Sequence, residues 1–158
     1  MTLSRTARQW SNRVVKGLRL LRSLRPAPRG GLSVVTLAAY DWKLGIEAIR
    51  RCYAIADEIV VGLDSERISY RGERFPFNDA AFRRALKKVD PQGKVRVLEG
   101  DFHSQDDPSA NETHERNVLS LACRKGSWVL QIDADEWMVN PLEFKRWLGG
   151  LRVEREIM

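Results

Sequence analysis

From Leu32 onward the chain alternates short apolar, β-branched runs with stretches of helical periodicity, which is the pattern of a parallel sheet joined by helical crossovers. The runs are 32–37, 58–64, 94–98 and 127–132, and the last reads most strongly as a buried strand. After the first run, Leu44, Ala48 and Ile55 fall on one helical face. Ala80, Ala81, Leu86 and Val89 mark a second helix, closed by the turn sequence Asp90-Pro91-Gln92-Gly93. Val118, Leu119, Leu121 and Ala122 mark a third over residues 112–124, with Gly126 as its C-terminal stop. The segment from Ser65 to Phe77 is polar and unperiodic and reads as loop. The expected fold is α/β, with a mainly parallel, Rossmann-like sheet flanked by helices.

The first thirty-one residues have a different character. Eight of the 27 basic residues precede Asp41, the first acidic one, so the net charge of +6 belongs to this leader. Beyond it, the remaining 19 basic residues face all 21 acidic ones, and the body is slightly acidic. Residues 8–25 predict an amphipathic helix, with Trp10, Val14, Leu18, Leu21 and Leu24 on a stripe flanked by arginine. Such a helix suits an anionic membrane surface. Docking on its own domain is the other reading, and a transit peptide a third. The Pro/Gly segment 26–31 then serves as a linker, leaving residues 32–158 as the body.

No apolar run reaches the ~18–20 residues of a membrane span, and no signal-peptide core is visible, so the body is expected in the cytoplasm or peripherally on the inner face of a membrane. Cys52 and Cys123 lie in apolar-periodic segments without a CxxC or Cys/His neighbourhood, and read as buried thiols. The arginines of the leader lack interleaved exposed aromatics, and the body has no basic stripe, so nucleic acid is not an expected partner.

Chemistry enters at Asp133-Ala134-Asp135-Glu136, directly after the fourth apolar run. Two aspartates one residue apart at a strand end suit a divalent cation: Mg2+ and Mn2+ prefer oxygen ligands and use one or two protein carboxylates, leaving the other positions to water and phosphate. Asp64 ends the second run, where open parallel sheets bind ligands. Asp101, His103, Asp106 and Asp107 lie together in a polar segment without regular spacing and read as a solvated loop.

The run from Glu115 to Pro141, with Arg116-Asn117 ahead of the strand and Asp133-Ala134-Asp135-Glu136 after it, resembles family 2 glycosyltransferases. Ser33–Thr36 and Asp57–Asp64 extend the resemblance over about residues 32–145. It implies a GT-A fold binding a nucleotide-diphosphate sugar with Mg2+ or Mn2+. It further implies that Thr36 and Ala38 lie beside the base, that Asp64 bonds base or ribose, and that Arg116 contacts the nucleotide. Asp133 and Asp135 would then hold the metal, with Asp133 also touching the nucleotide and Asp135 the more direct ligand. The implied acceptor is a glycan or lipid-linked saccharide. In that family the acceptor half and catalytic base lie beyond the DxD strand, and only 22 residues follow Glu136, so the body reads as a donor-binding portion incomplete at its C-terminus, with no catalytic residue assigned.

Three other readings compete. A haloacid-dehalogenase phosphatase also sets Asp-x-Asp after a strand, but near the start of its domain. A nucleotide-sugar-binding module without turnover fits the short C-terminal part. A membrane-surface adaptor fits the basic leader.

Overall fold

The computed structural model describes residues 24–25, 31–104, 107–151 and 153–154. Its elements run β1 (Leu24–Arg25), β2 (Leu32–Ala38), α1 (Trp42–Cys52), β3 (Glu58–Asp64), α2 (Asp79–Val89), β4 (Val95–Gly100), α3 (Pro108–Ala122), β5 (Trp128–Gln131), α4 (Pro141–Gly150) and β6 (Val153–Glu154). Strands β4, β3, β2 and β5 form, in that order, a sheet in which every neighbouring pair is parallel. The chain divides into two units: Pro28–Lys145, which holds this sheet, and the chain ends, Met1–Ala27 with Arg146–Met158.

In the unit of the chain ends, β1 pairs antiparallel with β6. Residues 24–25 were expected to close the amphipathic helix and are strand instead. The rest of that helix lies outside the described residues.

In the sheet unit, β2 and β3 are central, with a neighbour on each side and helices over both faces. Their apolar runs are therefore buried almost without alternation: Val34, Val35, Ile59, Val60, Val61 and Leu63 are all fully buried. Each such side chain contributes about 1.5–3 kcal/mol by leaving water, so these two strands carry most of the sheet's stability. The expectation for the fourth run is corrected. β5 is an edge strand of four residues, paired only with β2 among the described residues, and its Val129 remains exposed. An apolar run records a preference for burial, whereas edge position is set by which strands find room beside it.

The sequential strands β2, β3 and β4 step outward in one direction, and β5 returns to the far side of β2. With right-handed crossovers this puts α1 and α2 over one face and α3 over the other. Contacts agree. Trp42 of α1 meets Phe82 of α2 edge to face at 5.8 Å. On the other side Leu119 and Cys123, at the end of α3, cluster with Val35, Val60 and Phe102.

The helices start where capping chemistry allows. Asn78 accepts a hydrogen bond from the Ala81 amide at the start of α2. Asp107 accepts from the Ala110 amide, with Pro108 in the first turn of α3, so this helix begins four residues before the periodicity suggested. It ends at Ala122, and Gly126, with φ 74°, turns the following loop rather than stopping the helix. Leu44 and Leu121, expected on buried faces, are exposed. Cys52 and Cys123 are both free and buried. No helix among the described residues is long and apolar enough to cross a membrane.

Candidate functional site

A cavity of about 320 Å3 opens at the carboxyl ends of the four parallel strands. It lies where the strand order reverses, between β2 and β5, the place where open α/β sheets bind ligands. Every strand contributes residues at or just past its end. Ala38 comes from β2, Asp64 from β3, Phe102 from the segment after β4, and Asp133 and Asp135 from the loop after β5, while Arg116 reaches in from α3. Five of the six residues singled out in the sequence therefore line one cavity. Thr36 does not. It is buried in β2 beside Val61, on the same face as Ala38 but one pleat further down, and its hydroxyl has no hydrogen-bond partner among the described residues.

The loop carrying Asp133 and Asp135 is shaped by its neighbours in sequence. The Glu136 amide donates to the Asp133 carbonyl at 3.0 Å, and the Glu136 carboxylate accepts from the Asp133 amide at 3.0 Å. Glu136 thus closes the turn that presents the two aspartates. Ala134, between them, is buried against the start of α1, where a methyl group placed on Gly45 would lie 3.7 Å from its own. Asp135 is exposed and Asp133 half-buried. Burial raises the Asp133 carboxyl above its ordinary value, and Glu136, Asp135 and Glu112 push the same way against Arg116.

Arg116 is shared between two acids. It bonds Glu112 one turn earlier on α3 and stands 3.6 Å from the Asp133 carboxylate. Its Nε is buried without a partner among the described residues.

Asp64 lies in the cavity wall with its lone pairs engaged. One carboxylate oxygen accepts from the Glu66 and Ile68 amides, at 2.9 and 3.0 Å. The other accepts from the Phe102 amide at 3.0 Å and pairs with His103 Nδ1 at 2.8 Å. Four donors are what a carboxylate can take, so Asp64 ties the β3 and β4 loops together from beneath the cavity. Burial alone would raise its carboxyl, but these hydrogen bonds outweigh burial and hold it below its ordinary value. His103 is raised in turn, first by its bond to Asp64 and then by the charges of Asp64, Asp101 and Glu66. Asn111, buried in α3, donates to the Tyr70 carbonyl and pins the same β3 loop from the other side.

His103 therefore turns inward, whereas the sequence placed it in a solvated loop. Asp64, Asp101 and His103 bring ligand atoms within 4.8 Å of one another, a set that could hold a metal ion. As they stand His103 Nδ1 is hydrogen-bonded to Asp64, and a cation there would have to displace the imidazole proton. Asp133 and Asp135 belong to no three-residue group of this kind among the described residues. They are two carboxylates one residue apart, both lining the cavity.

One further residue escaped sequence reasoning. Glu115 is 8% exposed, lines the cavity from α3 and accepts no hydrogen bond from the described residues. Desolvation, followed by the charge of Asp64, pushes its carboxyl up to about 8. The signal was present in spacing: 112, 115, 116 and 119 fall on one face of a helix, and Leu119 fixes that face toward the sheet.

The described wall of the cavity carries six acidic residues, Asp41, Asp64, Glu112, Glu115, Asp133 and Asp135, against the single cation Arg116. Comparison with known proteins returned no matching family model, curated protein or solved structure.

Proposed function

We propose that this cavity binds a nucleotide-diphosphate sugar together with Mg2+ or Mn2+, and that the chain is the donor-binding part of a glycosyltransferase of the family 2, GT-A type. The observation that carries the reading is the meeting of Asp64, Arg116, Asp133 and Asp135 at the switch point of a parallel sheet, around a cavity large enough for a small ligand. Charge makes the reading specific. With Glu115 protonated and Asp64 paired to His103, the four acids Asp41, Glu112, Asp133 and Asp135 still outnumber the one arginine and repel a bare diphosphate, so an anionic ligand needs a cation to enter.

Asp133 and Asp135 would hold that cation, whose chemistry is to neutralise the charge developing on a diphosphate leaving group. Arg116 would present its guanidinium to a phosphate or base edge, released from Glu112 as it does so. Ala38 leaves the space at the end of β2 open for the ligand. Asp64 orients the two loops that floor the site through the four bonds it accepts. A glycan or lipid-linked acceptor, and an anionic membrane surface for the basic leader, complete the proposal. So does a location at the inner face of a membrane.

Calorimetric titration of UDP, GDP and dTDP, with and without Mn2+, tests it. Binding that needs the metal and disappears in a folded Asp133→Ala/Asp135→Ala variant is the expected result. Nucleotide binding that is indifferent to both metal and variant would sink the reading.

A further inference from the structure

Glu115 is the one polar side chain at the inner wall of the cavity that is nine-tenths buried and without a hydrogen bond from the described residues. We propose that it is a ligand-contacting residue, its carboxylic acid donating a hydrogen bond to an acceptor oxygen of the bound nucleotide. The inference rests on the nucleotide-binding reading and deepens it.

Geometry selects the role. The groups around Glu115 leave it no partner: Asp64 at the end of β3 is saturated by three amides and His103, and Glu112 on α3 holds Arg116, which also faces Asp133 after β5. A carboxylate here would add a negative charge to a wall that already carries acids on three elements. The neutral acid avoids that repulsion and gains an O–H donor. Desolvation, the largest influence on the group, favours that form whether or not Asp133 holds a cation. With no hydrogen-bond partner among the described residues, the acid's O–H is left to donate to whatever fills the cavity it lines, and a ligand oxygen satisfies it. Base carbonyls, sugar hydroxyls and phosphates all offer one.

The donor hypothesis separates two substitutions. Glu115→Gln keeps an N–H donor in nearly the same place, whereas Glu115→Leu keeps the volume and removes the donor. Leucine also replaces a largely desolvated carboxyl that no described residue hydrogen-bonds, so the variant is expected to melt at a higher temperature than the wild type. The experiment is calorimetry of the full chain with UDP, GDP and dTDP in the presence of Mn2+ at pH 7, alongside thermal melting.

The expected result is a Glu115→Leu protein that is more stable yet binds nucleotide about tenfold or more weakly, with Glu115→Gln within about threefold of the wild type. Wild-type affinity in Glu115→Leu would overturn the contact. Loss in Glu115→Gln equal to that in Glu115→Leu would overturn donation, because it would mean that the carboxylate is needed. If Glu115→Leu does not fold, Glu115→Ala carries the same comparison. A wild-type chain that binds none of the three nucleotides removes the nucleotide reading and this inference with it, a result distinct from the other two.

Discussion

Leu119 of α3 sits on Gly62 in the middle of β3, so closely that a methyl group at position 62 would meet both of its terminal carbons at 3.0 and 3.1 Å. The same methyl group would meet Leu37 at 2.9 Å. Glycine lets the helix settle onto the sheet, and one turn earlier the helix delivers Glu115 and Arg116 to the cavity. Gly62→Ala is expected to destabilise the fold by about 1–3 kcal/mol through overpacking. Urea denaturation measures the loss. A variant as stable as the wild type would show that Leu119 moves aside without cost.

Gly45 makes the opposite prediction. It lies inside α1, and a methyl group there would be 3.6 Å from the Leu37 carbonyl oxygen and 3.7 Å from the Ala134 methyl, ordinary contact distances. Alanine restores helix propensity at no steric cost, so Gly45→Ala should stabilise by up to ~1 kcal/mol. Since Ala134 need not move, metal-dependent nucleotide binding should stay unchanged. A drop in the denaturation midpoint would contradict the packing described between α1 and the Asp133–Asp135 loop.

What the sequence disclosed follows the same division between local and tertiary causes. The span of β3 was legible to the residue because a strand buried on both faces is a continuous apolar run, bounded here by Asp57 and Asp64. The start of α3 was not, because Pro108 looks like a break until Asp107 is seen to cap the helix behind it. Position in the sheet was hidden for β5, whose apolar residues are the same at an edge as at the centre. In the site, Asp133 and Asp135 declared themselves by spacing. Glu115 and His103 did not, since the character of Glu115 comes first from its burial in the folded chain and then from the charge of Asp64, and that of His103 from its bond to Asp64, 39 residues away in sequence.

The Asp64–His103 pair sets a pH window for stability. His103 is raised from an ordinary value of 6.5, so its contribution is full below that pH and is lost as pH rises through the folded value. Asp64 is lowered from 3.8, so its contribution is full above that pH and is lost as pH falls through the folded value. Both terms are complete between about pH 4 and 6.5. His103→Ala is expected to cost about 1–2 kcal/mol at pH 5.5 and less at pH 8.5. Urea denaturation of the two proteins at both pH values measures the gap, and a gap that does not narrow would mean that the imidazolium contributes no charge to the pair.

Glu115 gives a slope of the opposite origin. Its carboxyl, ordinarily near 4.5, is held up to about 8 by burial and by the acids facing it. Between those values the folded chain keeps a proton that the unfolded chain releases, so stability falls as pH rises and levels off above the folded value. Relaxation around the charged carboxylate limits the total to the order of a few kcal/mol. Glu115→Gln carries no such proton and should lose the slope. Asp133, also raised, and the Asp64–His103 pair titrate in both proteins and so largely cancel in the difference. The two denaturation profiles should therefore coincide most nearly at pH 5 and separate toward pH 8.5, with the glutamine variant the more stable. Parallel profiles across that range would mean that Glu115 ionises as freely in the fold as in the unfolded chain, and that its place in the cavity wall is wetter than the structure has it.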